Sequence, residues 1–356
     1  MSRMLTGAVV GAAIAALHCS TGAAAHAATP AVRIVGDGLE ANGEPFFAYG
    51  FNYEFNGAHP NLDYLEEPTR EGLLRMRADF AEAAELGANT VRIFVELHDV
   101  MASPTRTRRN GLRALRRTLA EAGRAGLMVD LTGNLVWHAD RVPGWYDAMG
   151  DRDRWGVQAR FWRAVAAVGA RAPNVLCYEL TSEPAIGDAP HWYAGRILDH
   201  DYAQYVVRDI AGRDPDRLAR RWTALVRDAI RSSDDEHPIT IGLLPFTGGA
   251  FAPANLWDLL DIITVHEYPE AGRAAASVAL VGAFAGHGRP VLLGETFGLH
   301  RPAFEEFLLG ARADLDGALS FYDGRAPEDV RPATVVDALY RESLISFLGL
   351  RRSLGA

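Results

Sequence analysis

The sequence predicts an α/β fold, a (β/α)8 TIM barrel with a short N-terminal β-hairpin plug. Short apolar, β-branched runs alternate with stretches of helical periodicity, which implies a parallel sheet covered by helices. The runs number eight, the count that closes such a sheet on itself. No low-complexity linker or internal repeat follows residue 30. Residues 28–356 therefore read as a single domain, within the size such barrels reach as one unit.

The first element is a leader. In "MSRMLTGAVVGAAIAALHCSTGAAAHAATP", Arg3 gives a positive start, Leu5–Leu17 an apolar run, and Ala25-His26-Ala27 a small-x-small cleavage site. Residues 1–27 are thus expected to be a signal peptide, and the mature chain secreted or periplasmic. The apolar run is too short to span a bilayer, so no transmembrane segment is expected after cleavage. Lipid anchoring at Cys19 is disfavoured by the bulky His18 before it. Next, "VRIVGDGLEANGEP" (residues 32–45) places two short runs around Gly and Asn-Gly turns, the hairpin plug.

The barrel strands are expected at 46–51, 90–95, 127–132, 174–181, 238–243, 261–267, 290–295 and 316–322. Between strands 1 and 2, Leu73, Met76, Phe80 and Ala84 recur at helical spacing, and Gly87 closes the segment. After strand 4, Asp214-Pro215 supplies a cap and a first-turn proline for Leu218, Trp222, Leu225, Ala229 and Ile230. Two connections are long: 133–153, with Trp137, His138, Trp145 and Tyr146, and 184–213, with Trp192, Tyr193, Tyr202 and Tyr205. Both fall on the C-terminal face, where barrel sites form. Their flat rings suit stacking on sugar rings; the alternative is that they pin the loops down.

Composition removes several chemistries. The net charge is −9 with no basic block, which argues against nucleic acid and anionic membranes. All 36 basic residues are Arg and none is Lys. Schiff-base catalysis and the Lys-containing phosphate loop are therefore excluded. No G-x-G-x-x-G stands between a strand and a helix, so a dinucleotide fold has no support. With the leader gone only Cys177 remains, inside an apolar run, and it reads as inert core with no disulfide partner.

The informative residues are two glutamates. In strand 4, Cys177, Glu179, Thr181 and Glu183 share one parity; in strand 7, Val291, Leu293 and Glu295 do. Glu183 and Glu295 then sit at C-terminal strand tips on opposite sides of the barrel mouth. Two carboxylates facing one another there fit cleavage of a glycosidic bond, one protonating the leaving oxygen and the other attacking or activating water. A lone strand-end Glu would more simply cap the next helix.

"GFNYEF", "NTVRIF", "YELTSEP", "HEYP" and "LLGETFG" together resemble glycoside hydrolase clan A, in particular the cellulase-like glycoside hydrolase family 5, from about residue 32 to about residue 350. The resemblance implies Glu183 as acid/base and Glu295 as nucleophile of a retaining reaction. It further implies Arg92 as the cation beside the nucleophile, Tyr268 as its hydrogen-bond donor and His266 as a lining of the sugar site. Arg92 has the alternative of pairing with inward Glu179, and the two readings are compatible. Glu267, between His266 and Tyr268, faces the other way and is not read as catalytic.

Three positions depart from the family. Ser182 stands where the family usually has Asn, leaving a shorter hydroxyl for the substrate's 2-hydroxyl. Asp130-Leu131-Thr132 ends strand 3 without the usual His, for which loop residue His138, beside Trp137, is the candidate substitute. "SFYDG" lacks the strand-8 Trp, with Tyr322 as the expected sugar platform and Phe321 the alternative.

The resulting expectation is a secreted, monomeric, retaining β-glycoside hydrolase acting on a β-linked glucan, mannan or related glycoconjugate. Its partner is an oligo- or polysaccharide, and no cofactor or metal is required. A carbohydrate-binding protein without turnover competes, on the strength of the three departures. A metal hydrolase would need a His-x-His at the end of strand 1, where "GFNYEF" has no histidine, or clustered His/Asp ligands.

Overall fold

The structure is a computed structural model, and it describes residues 31–134, 141–192, 196–197, 200–201, 204–245 and 248–356. Eight parallel strands close into a barrel: β1 (Ala48–Asn52), β2 (Thr90–Glu96), β3 (Met128–Asn134), β4 (Val175–Ser182), β5 (Ile239–Leu243), β6 (Ile263–His266), β7 (Val291–Glu295) and β8 (Gly317–Phe321). Each pairs with the next, and β8 pairs with β1. Every strand falls on an expected run, with ends shifted by a few residues.

The helices after the strands are α1 (Arg70–Glu85), α2 (Arg109–Arg124), α3 (Asp151–Gly169), α4 (Pro215–Arg231), the single turn α5 (Pro253–Leu256), α6 (Ala274–Gly282), α7 (Arg301–Ala311) and α8 (Val335–Leu354). Their ends obey local chemistry. The Thr69 hydroxyl accepts the Gly72 N–H at 3.0 Å to start α1. Gly87, at φ +99°, ends that segment in a conformation an L side chain resists. Asp214 accepts the Asp216 N–H at 3.0 Å to start α4. Met76 and Phe80 of α1, and Leu218, Trp222, Ala229 and Ile230 of α4, are buried as their spacing predicts; Leu225 lies on the exposed side.

The N-terminal plug has one strand more than a hairpin. Val32–Val35, Gly38–Ala41 and Glu44–Pro45 form an antiparallel meander, because the Asn42-Gly43 turn, at φ 56° and 85°, returns the chain a second time. Leu39, with Val32, Ile34 and Phe46, packs on Ala48, Met128, Leu176, Cys177, Ile262 and Leu292, closing the barrel floor with apolar atoms. Burial pushes the Cys177 thiol well up, in keeping with inert core.

Two irregularities in the ladder shape the opposite end. Between β4 and β5, Glu179 pairs with Thr240 but Ser182 with Gly242. Between β6 and β7, Val265 pairs with Leu293 but His266 with Glu295. Bulges of this kind break the two-residue alternation and re-aim side chains at strand ends.

Candidate active site

Strict alternation in β4 would point Ser182 away from the residues that flank it. The bulge instead turns both Glu179 and Ser182 into the barrel, where each meets Arg92 Nη2, at 2.5 and 3.1 Å. Glu183 follows one residue beyond the strand, at φ +50°, a left-handed conformation costing roughly 1–3 kcal/mol in a non-glycine residue. Its N–H donates to the Gly242 carbonyl at 2.8 Å, which holds this turn. The carboxylate is thereby presented to His266, whose Nδ1 lies 2.9 Å from Glu183 Oε1.

Glu295 ends β7. Its Oε2 accepts the Tyr268 hydroxyl at 2.5 Å. Its Oε1 accepts from Arg92 Nη1 and, at 3.4 Å, from the Ser182 hydroxyl. His266 Nδ1 lies 3.6 Å from that same oxygen. A carboxylate oxygen of Glu183, a ring nitrogen of His266 and a carboxylate oxygen of Glu295 all lie within 4.8 Å of one another. Two acids contributed by opposite sides of the barrel thus converge on one point.

Arg92 organises the centre. It is 0% exposed, and all five of its N–H donors find acceptors. Nε donates to Thr132 Oγ1 at 2.9 Å, Nη1 to Asn52 Oδ1 at 2.7 Å and to Glu295, and Nη2 to Glu179 and Ser182. Asn52 is itself fixed, its amide donating to the Gly294 and Ser320 carbonyls at 3.0 and 2.9 Å. Both roles read for Arg92 therefore hold at once. The departures at Ser182 and Thr132 also acquire a local reason, since each offers a compact acceptor to the guanidinium. Ser182 was expected to face a substrate hydroxyl; its hydroxyl bonds instead with Arg92 and Glu295.

These environments separate the two acids. Burial raises the Glu183 carboxyl above its ordinary value, against the pull of His266 and with the charge of Glu295 adding to the rise. Burial would raise Glu295 too, but His266, Arg92 and the Tyr268 hydroxyl outweigh it and hold the carboxyl below its ordinary value. Tyr268 is 37% exposed through its ring, while its hydroxyl is turned in to Glu295; burial, then the charges of Glu295 and Glu183, push that hydroxyl well up, so it remains a donor.

Two glycines make room for this cluster. A Cβ on Gly242 would lie 2.6 Å from Glu179 Oε1 and 2.8 Å from His266 Nε2, and one on Gly294 would lie 2.4 Å from Thr264 Cγ2. Both positions admit no larger residue without moving the histidine or the strand beside it.

The aromatic expectations divide. Tyr322 is not a platform in the mouth: it is buried outside the barrel against Phe51 and Tyr53, its hydroxyl donating to Glu82 of α1. Alternation decides this, because Phe321, one residue earlier, takes the inward side. Phe321 stacks with Tyr268 at 6.5 Å between centroids and meets Phe297 at 6.1 Å and Phe55 at 6.3 Å, forming an apolar wall beside Glu295. Of the loop aromatics, Tyr146 and Trp192 are buried around the Arg154 guanidinium, whose Cζ lies 4.3 and 3.3 Å from their ring centroids. These two pin the loops. Trp137, His138, Tyr193 and Tyr202 lie outside the described residues. Glu267 accepts from the Ser277 hydroxyl, away from the pair.

Sequence reading overlooked Asn52, Gly242 and Gly294. A polar residue in the apolar run "FAYGFN", and glycines inside strands, were the available signals. Among the described residues two groups have metal-ligand donor types, Glu183–His266–Glu295 and Glu96–His98–Asp99. Each already has a guanidinium against it, Arg92 on Glu295 and Arg141 3.6 Å from Glu96 Oε2, which supplies the countercharge a metal would bring.

No protein-family model matches the chain, and no curated protein sequence matches it. Solved structures do. An exo-β-1,4-mannosidase from Opitutaceae bacterium strain TAV5 is 20% identical, with a TM-score of 0.64 over 88% of this chain and 60% of that one. A GH5_18 variant from Streptomyces cattleya, in complex with Manβ1-4GlcNAc, is 19% identical, with a TM-score of 0.58 over 77% of this chain and 70% of that one. A β-1,4-mannanase from the sea hare Aplysia kurodai is 13% identical, with a TM-score of 0.61 over 90% and 96%. The fold is the (β/α)8 barrel of these structures. At these identities the likeness establishes architecture, and it agrees with the resemblance carried by the strand-end motifs.

Proposed function

We propose that the protein is a secreted, retaining β-glycoside hydrolase that cleaves a β-linked mannan, glucan or related glycoconjugate, with a β-mannoside as the best-supported substrate. The observation carrying this reading is the convergence of Glu183 and Glu295 within 4.8 Å, since a retaining pair works with its carboxyl groups about 5–5.5 Å apart whereas an inverting pair leaves a wider gap for water. The mannosidase, the mannanase and the Manβ1-4GlcNAc complex among the structural neighbours support the choice of sugar. The leader at residues 1–27 supports export.

In the first step Glu295 attacks the anomeric carbon while Glu183 gives its proton to the departing glycosidic oxygen, leaving a glycosyl ester on Glu295. The ester carries no charge, so Glu183 loses the neighbour that raised its pKa and becomes a ready base. It then takes a proton from water as that water attacks the same carbon, releasing the sugar and restoring both carboxyl groups. Arg92 and Tyr268 hold the attacking carboxylate ionised and aimed, and Phe321 offers an apolar face to the ring.

Treatment with 2-fluoro glycosides of several sugars, followed by peptide mapping, tests mechanism and sugar together. A tag on Glu295 from the mannoside is the expected result. Turnover of a sugar whose 2-fluoro analogue leaves Glu295 unmodified would overturn the assignment, and glycan binding without product release would favour a carbohydrate-binding protein instead. N-terminal sequencing of exported protein, expected to begin at Ala28, tests the leader.

A further inference from the structure

Beneath the carboxylate pair the barrel holds an acid that the reaction above leaves unused. Glu179 of β4 is fully buried; its Oε1 accepts from Arg92 Nη2 at 2.5 Å, and its Oε2 has no hydrogen-bond partner. Two carboxylates therefore divide one guanidinium, Glu295 on Nη1 and Glu179 on Nη2. The remaining donors go to the neutral oxygens of Asn52, Thr132 and Ser182, so the guanidinium has no freedom to slide toward either acid.

The other titratable groups facing Glu179 leave it the partner of Arg92 from below. Asp130 of β3 is fully buried beside the Cys177 thiol, and burial, then the charge of Glu179, pushes it up to about 8. Cys177 stays a thiol. Burial raises the Glu179 carboxyl, and the charges of Arg92 and then of His266, which bonds to Glu183 through Nδ1, oppose that rise.

We propose that Glu179 is a positioning residue: by holding the far edge of Arg92 it fixes where the guanidinium meets Glu295, and by taking a share of that cation it keeps Glu295 from being paired to a whole positive charge. An undivided cation would keep Glu295 ionised yet make it a weaker attacker, because a carboxylate that holds its proton less tightly also forms a bond to carbon less readily. The inference draws its meaning from the glycosidase reading, but its test does not need turnover.

The test is a carbon-13 NMR titration of the Glu side-chain carboxyls, with the Glu295 signal assigned by its loss in Glu295→Gln. Glu179→Gln keeps size and an oxygen for Nη2 while removing the charge, so Glu295 is expected to titrate about one pH unit lower than in the wild type. Glu179→Asp keeps the charge but withdraws it by one methylene, and a smaller shift in the same direction is expected; this variant decides alone if the first does not fold. An unchanged or raised Glu295 titration in a folded variant would overturn the proposal and leave Glu179 a structural ion-pair partner only. Absence of hydrolysis by the wild type would sink the glycosidase reading separately, since the titration stands without it.

Discussion

At the floor of the barrel, Leu39, Met128, Leu176, Ile262 and Leu292 meet as apolar surface with no direction to satisfy. Toward the opposite end of the barrel, Arg92, Glu179, Ser182, His266 and Glu295 are also buried, yet each is held by named donors and acceptors. The floor draws stability from area and tolerates exchange among similar shapes. The mouth depends on partners being present in the right number, because an uncompensated buried charge is expensive. Stability and chemistry should therefore separate under mutation, with Arg92 as the residue where they meet.

The largest expected effect is at Glu295. Glu295→Gln should lower kcat/KM on the order of 10⁵-fold, the scale at which losing one member of a catalytic unit is felt, with little change in the urea midpoint. Glu183→Gln should lower turnover of an alkyl glycoside by roughly 10²–10⁴-fold. An aryl glycoside with a strongly acidic leaving group, which needs no proton, should lose far less. The pH profile sharpens the same point. Glu295 must be ionised and is held below its ordinary value, so the acid limb should fall below about 4.3. Glu183 must be protonated and is held above it, so the alkaline limb should lie above about 4.3 and vanish in Glu183→Gln.

Arg92→Met comes next. It strands Glu179 and Glu295 and should cost about 3–5 kcal/mol in urea unfolding besides removing activity. A loss no greater than that of a floor methylene would break the contrast between the two ends. The smallest effect belongs to the floor, where Ile262→Val should cost about 0.5–1.5 kcal/mol and leave kcat/KM unchanged per folded molecule.

Much of this was legible in the sequence. Eight apolar runs sufficed for the barrel, strand-end placement found Glu183 and Glu295, and the family resemblance pointed to Arg92, His266 and Tyr268. What failed was finer than periodicity. Alternation was carried through β4 as though the ladder were regular, whereas the bulge turns Ser182 inward. At the end of β8 the inward side belongs to Phe321, and Tyr322 reaches α1 instead. Asn52 stood inside "GFNYEF" and was passed over because it acts through another residue, by holding Arg92. The loop aromatics Tyr146 and Trp192 were visible as aromatics, but their partner Arg154 lies on a helix between them in sequence, and only folding brings the three together.

The order of the strands has a bearing on timing. Arg92 and Glu183 come from β2 and the end of β4, whereas His266, Tyr268 and Glu295 come from the end of β6 and from β7. The chain through the end of β4 reaches Glu183 without Glu295, and β5–β8 carry Glu295 without Glu183. An incomplete chain therefore holds one carboxyl group of the pair without the other, and the two meet only when the ring has shut.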